Sequence, residues 1–227
     1  MHQVKPKTQA RQLAVALILS SLFSIALFAA RALAGDSNRY WFLNWNLALA
    51  WLPLLLAWTL KKRLRNHPWL NWRSLVLTAM WLAFLPNSFY LVSDFVHLHD
   101  SREVSLLYDV VLFASFAFNG LTLGFISVYL VHKELLAKIR ARDAHLVIAA
   151  VLLLSGFAIY VGRNLRWNTW DVLFNPAGLL FAVSDRFINS GSHPQMFTIT
   201  LIFFALLASL YAFIWRLINI FVPTAKP

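Results

Sequence analysis

The amino-acid sequence predicts an all-α fold: a polytopic membrane helix bundle of about six transmembrane helices, with an interfacial or re-entrant segment before the last. Three observations carry that expectation. Of the 227 residues, 60% are hydrophobic and only 13% are charged, whereas a soluble domain carries about 25% charged residues. The charges are clustered and leave six long uncharged windows: Gln12–Ala30, Tyr40–Leu60, Ser74–Ser93, Val110–His132, Ala144–Gly162 and Phe187–Trp215. The basic residues also divide very unequally between the two ends of those windows.

A helix needs about 20 mostly apolar residues to cross roughly 30 Å of hydrocarbon, because lipid offers no partner to an unpaired backbone group. The first window meets that length and has a rival reading. Lys5, Lys7 and Arg11 precede an apolar run, and Ala32-Leu33-Ala34 resembles a signal-peptidase site. The run from Leu13 to Ala30 exceeds the roughly 7–15 residues of a signal core, so an uncleaved first helix is expected. The next four windows each read as one span. In the sixth, Pro194 moves the helix start to near Gln195. Between the fifth and sixth, Val172–Ser184 is too short to span and holds Asn175-Pro176 and Gly178, which suits an interfacial or re-entrant piece. The expected spans are about 12–33, 40–60, 73–93, 108–132, 144–162 and 195–217, with the interfacial segment at about 172–184. Residues 1–227 are expected to form a single membrane-embedded domain.

Orientation follows from Lys and Arg, which are retained on the cytoplasmic side. One set of ends holds 14 of the 20 basic residues and 2 of the 9 acidic ones, a net charge of +12; the other set nets −1. Both termini are therefore expected in the cytoplasm. The basic residues lie in short loops between spans, where topology and anionic lipid account for them. They do not form a nucleic-acid surface, so the bilayer is the expected partner and nucleic acid is not. Most of the ten Trp, among them Trp41, Trp45, Trp58, Trp69 and Trp72, lie toward span ends, where an amphipathic ring belongs. With no cysteine, disulfides and thiolate metal sites are excluded. No P-loop, G-x-G-x-x-G, His-Glu-x-x-His or G-x-S-x-G is present, which argues against nucleotide-driven work and conventional serine hydrolysis.

Polar residues in or beside lipid are costly and therefore informative. At the end of the third span, Asn87, Tyr90, Asp94 and His97 recur at helical spacing as one stripe, just after Pro86. The fourth span opens with Tyr108-Asp109 and carries Asn119-Gly120 deeper in. The fifth ends in a block containing Arg163, Arg166, Asn168 and Asp171. Guanidinium forks bind carboxylate and phosphate bidentately, and Asp94, Asp109 and Asp171 are the internal acids on offer.

The stretches Phe84-Leu85-Pro86-Asn87-Ser88, Tyr90 and Ser93-Asp94-Phe95-Val96-His97-Leu98, with Tyr108-Asp109, Asn119-Gly120 and the block from Gly162 to Asp171, resemble the bacterial membrane proteins of domain-of-unknown-function family 1361. The resemblance runs from about the second span to the last. It implies a small multi-pass inner-membrane protein and carries no activity.

Three readings of the polar cluster follow. In the first it is scaffolding: Asp94 or Asp109 pairs with Arg163 or Arg166, and Asn119 bonds a neighbouring helix. In the second it is an outward-facing pocket for an anionic lipid or lipid-linked ligand. There Asp94 and His97 serve as general base or as ligands of a divalent metal, with His99, Asp100 or His193 as further candidates. Arg163 and Arg166 clamp the anion, while Asn87, Tyr90, Asp109, Asn119, Asn168 and Asp171 line the pocket or support it. In the third, Asn87, Asn119 and the Pro86 kink line a path for a small solute. The pocket suited to binding, and to processing if the base is active, is the leading expectation; whether the chain is an enzyme stays open.

Overall fold

A computed structural model describes residues 6–35, 37–98, 104–167, 174–189 and 193–221. Among these, the chain forms seven α-helices: α1 (Pro6–Gly35), α2 (Phe42–Arg63), α3 (Trp72–Ser93), α4 (Leu106–Leu136), α5 (Ala141–Asn164), α6 (Pro176–Ile188) and α7 (Pro194–Phe221). A single 3-10 turn, Asp94–His97, continues α3. All but α6 are long and apolar enough to cross a membrane. At about 1.5 Å of rise per residue, the 22 residues of α2 or α3 reach roughly 33 Å, while the 13 of α6 reach only about 20 Å.

The chain is thus a multi-pass helical membrane protein. Its exterior suits hydrocarbon: Leu19, Leu22, Phe23, Phe118, Leu154, Leu201, Ile202 and Phe213 are all exposed along the long helices. A water-soluble monomer rarely shows so continuous an apolar surface. Interior prolines do not break the helices. Pro53 lies inside α2 and Pro86 inside α3, each uninterrupted in its helical assignment.

The centre of the bundle is α2, α3 and α4, packed on one another. Helix α1 flanks α4, α5 packs on α3 and α4, and α7 packs on α5. Without a hydrophobic drive between helices in lipid, close approach and polar bonds hold such a bundle. Both are present. Gly120 and Gly124 on α4 face Ser88 and Phe89 on α3, and a Cβ at Gly120 would run into the Ser88 carbonyl oxygen. Ser88 Oγ donates to the Ala50 carbonyl of α2 at 2.9 Å, and Trp81 Nε1 donates to Ser127 Oγ of α4 at 3.1 Å.

Helix α6 occupies the segment expected to be interfacial. Asn175 caps it, its side chain accepting from the Gly178 N–H at 3.1 Å, and Pro176 fills the first turn. No α6 residue is buried; Leu180, Phe181, Phe187 and Ile188 are exposed. Its inner face meets α5 through Phe187 and Phe157, whose rings are 5.7 Å apart.

Candidate functional site

Four turns of helix converge at the end of the bundle where α3 and α5 finish. Arg163 is in the last turn of α5, where a cation also complements the negative end of the helix dipole. Its guanidinium reaches across to α3. Nη2 donates to Asp94 Oδ1 at 2.6 Å and to Ser93 Oγ at 2.7 Å, Nε donates to Ser93 Oγ at 3.2 Å, and Nη1 meets His97 Nε2 at 2.7 Å. A guanidinium has donors only, so His97 Nε2 is the acceptor and the ring proton lies on Nδ1 in the neutral imidazole. Helix α2 completes the set, with Asn46 Nδ2 donating to Asp94 Oδ2 at 2.9 Å. The guanidinium carbon also lies 4.2 Å from the centroid of the Tyr90 ring, a cation–π contact. Gly162 makes room for that ring, since a Cβ there would sit 3.0 Å from it.

Burial within the cluster is graded. Asp94 is 1% exposed and Arg163 19%, so the carboxylate is sealed while the arginine keeps one edge open. His97 is exposed and packs edge-on against Phe42 at 5.1 Å. Ser93 Oγ donates to the Tyr90 carbonyl at 2.7 Å. Its proton therefore points back along α3, and Ser93, Asp94 and His97 all present acceptors to one guanidinium. A divalent cation shared by Asp94 and His97 would have to displace that group. No set of three or more His, Asp or Glu side chains suited to a metal is found among the described residues.

Beside the cluster lies a cavity of about 510 Å³ between α2, α3, α5 and α6. Its walls are mostly apolar, with Leu49, Phe84, Phe157 and Leu180 among them, and its polar side is formed by Asn46, Asn87 and Tyr90. Asn46 and Tyr90 thus belong both to the cavity wall and to the contacts of the Asp94–Arg163 pair.

The expected site residues separate into groups. Asn87, Tyr90, Asp94, His97 and Arg163 come together. Arg166 is three residues beyond, exposed and with φ at 58°, and it forms no ion pair among the described residues. Asp109 does not join the pocket. It is bonded to Arg31 of α1, Nε to Oδ1 at 3.0 Å and Nη2 to Oδ2 at 3.4 Å, with Arg31 also 4.5 Å over the Tyr40 ring. Asn119 likewise faces α1: its Nδ2 donates to Ser24 Oγ at 3.0 Å and to the Ser20 carbonyl at 3.2 Å. Asp109 therefore pairs with Arg31 and not with Arg163 or Arg166, and Asn119 bonds a neighbouring helix as the scaffolding reading expects; in both cases α4 presents that face to α1, whose serines and Arg31 supply the partners. Asn168 and Asp171 lie outside the described residues, as do His99 and Asp100. His193 meets Arg186 Nη1 at 3.0 Å, away from His97's partner.

Sequence reasoning missed Asn46, Ser93 as an acceptor for Arg163, and Arg31 as a partner. The only signal for Asn46 is an amide inside an uncharged window, and Arg31 was visible as an arginine at the end of an apolar run.

A family model described as protein of unknown function (DUF1361) matches residues 45–210, a stretch that contains every member of the Asp94–Arg163 cluster. No curated protein and no solved structure matches the chain.

Proposed function

The chain belongs to the DUF1361 family of proteins of unknown function, and we propose that this multi-pass membrane protein binds an anionic lipid-type ligand in the cavity between α2, α3, α5 and α6. The observation that carries the proposal is the cavity itself: an apolar trough of about 510 Å³ that ends at amides and a phenol, next to a partly open guanidinium. Apolar walls with a few convergent polar groups are what a small amphiphile requires. An acyl or prenyl chain would lie along Leu49, Phe84, Phe157 and Leu180. Its headgroup would meet Asn46, Asn87 and Tyr90.

Arg163 is the anion donor in this proposal, and its contacts suggest how. Asp94 holds one arm through Nη2, while Nη1 rests on His97, a neutral acceptor. A phosphate oxygen at Nη1 would replace a neutral bond by a charge-assisted one, roughly twice as strong. Asp94 then positions the guanidinium, His97 is the group that yields, and the exposed Arg166 adds a second positive charge. With Ser93, Asp94 and His97 all directed at Arg163, binding is better supported than turnover. The site would open toward the periplasm of a bacterial inner membrane, with both termini in the cytoplasm, on the charge imbalance between the two ends.

Native mass spectrometry of the gently extracted full chain tests this. One co-purifying amphiphile is expected, lost in Ala158→Trp, which fills the cavity, and weakened in Arg163→Gln. An identical lipid complement in wild type and Ala158→Trp overturns it. The sealed Asp94 carboxylate bonded to Arg163 favours a second reading, in which the cluster only ties α3 to α5. In that case Arg163→Gln lowers stability without altering bound lipid.

A further inference from the structure

At the opposite end of the bundle, where α2 ends and α3 begins, an open groove of about 500 Å³ is lined by Lys62, Arg63, His67 and Arg73, with Trp72 and Val76 on its flank. Among the described residues no carboxylate lines it. Arg63 Nη2 donates to Asn71 Oδ1 at 2.8 Å, and the same oxygen caps α3 by accepting the Arg73 N–H at 3.2 Å. The guanidinium is thereby fixed against the first turn of α3, whose Arg73, Ser74 and Leu75 N–H groups are taken by Asn71 and whose dipole favours an anion. Arg63 Nε is buried and has no hydrogen-bond partner among the described residues. A guanidinium stays charged at any working pH, so Arg63 brings a permanent positive charge to the groove it lines. Lys62 sits 3.2 Å over the Trp58 ring of the preceding turn. Trp72 and Val76 are 65% and 47% exposed, so the groove opens onto the apolar flank of the bundle.

We infer that this groove binds a phosphate group. Positive charge brought to one groove by Lys62, Arg63 and Arg73 suits a phosphate, whose oxygens accept from several directions, better than a planar carboxylate. The apolar flank fits a phosphate carried on an anionic phospholipid headgroup, as in basic pockets between membrane helices; a free phosphate offers the same chemistry. The site is independent of the cavity beneath α6.

The test is lipid retention by the full chain in neutral detergent, read by native mass spectrometry with added phosphatidylglycerol or phosphatidylcholine. Phosphatidylglycerol, with a net negative charge, is expected to be held about tenfold better than phosphatidylcholine, whose phosphate is offset by a choline cation that the basic groove repels, and Arg73→Glu to abolish that preference. Arg73 is exposed, with its guanidinium 5.2 Å over the Trp72 ring, and Arg63 bonds the Asn71 side chain independently of it; Arg63→Lys, which retains charge but removes the fork, should weaken retention in part. Arg140→Gln with Arg142→Gln, basic residues at the same end outside the groove, should change nothing. Displacement of the lipid by inorganic phosphate at constant ionic strength supports the phosphate site and assigns it to the free anion; resistance to displacement supports the headgroup. Equal loss in the Arg140/Arg142 control, or a preference that Arg73→Glu leaves intact, overturns the inference. So does a preference abolished by Ala158→Trp instead, which would place the lipid in the other cavity.

Discussion

Two arginine–aspartate pairs sit at the same end of this bundle and differ in their access to water. Arg31 and Asp109 join α1 to α4, with side-chain exposures of 0% and 1%. Arg163 and Asp94 join α5 to α3, and there the arginine is 19% exposed. The first pair is capped by Tyr40 and has the neighbouring Tyr108 hydroxyl bonded to the Leu27 carbonyl at 2.8 Å, a second tie between the same two helices. The second pair borders a cavity, and its arginine also spends two arms on the uncharged acceptors Ser93 and His97. A sealed pair can only hold helices together. A pair with one open edge can also exchange a weak acceptor for a ligand, which is why the same two residue types support a lock in one place and a binding site in the other.

The comparison can be broken by experiment. Asp109→Asn should be the most damaging single change, because it leaves a buried guanidinium without its carboxylate at a cost of about 3–5 kcal/mol. Thermal unfolding in detergent checks it, and Arg31→Met combined with Asp109→Leu should recover most of the loss. Arg163→Gln should cost less, about 1–3 kcal/mol, since the opened edge lets water reach the Asp94 carboxylate. If the two variants unfold alike, the two pairs are equivalent and the distinction fails. Ser93→Ala removes one neutral acceptor from Arg163 and should cost about 1 kcal/mol, seen as a small drop in the unfolding midpoint. His97→Ala should leave stability within about 0.5 kcal/mol because the ring is exposed. Lipid retention should nevertheless change in that variant if Nη1 is the arm that a headgroup takes; unchanged retention would separate His97 from the site.

Parts of the site were legible in the sequence and parts were not. The stripe from Asn87 to His97 follows from helical periodicity, since a polar face on a span must be turned from lipid. The 3-10 turn at Asp94–His97 then winds more tightly than the helix it continues. Asp94 and His97, three apart, stay on one side through that turn as the periodicity expects; that they and Ser93 meet one arginine is decided by where α5 places Arg163. Asp109 and Asn119 stand in the sequence as costly polar groups in or beside lipid, and their partners lie on α1, some eighty to a hundred residues earlier in the chain. Nothing in local spacing distinguishes Arg31 from Arg163 as the mate of a given aspartate.

What the sequence determined by itself is the helical, membrane-crossing architecture and the uneven charge of its two ends. Lipid allows almost no other solution: a backbone that cannot bond to water must bond to itself, and about 20 apolar residues between charges state that requirement openly. What only the tertiary structure decided is which charge meets which, and where a cavity remains beside one of them. Any arginine can pair with any aspartate on chemical grounds; the choice is made by which helix faces lie against each other. Those faces are set by close contacts such as Gly120 against Ser88, where absence of a side chain, rather than presence of one, fixes how near two helices come.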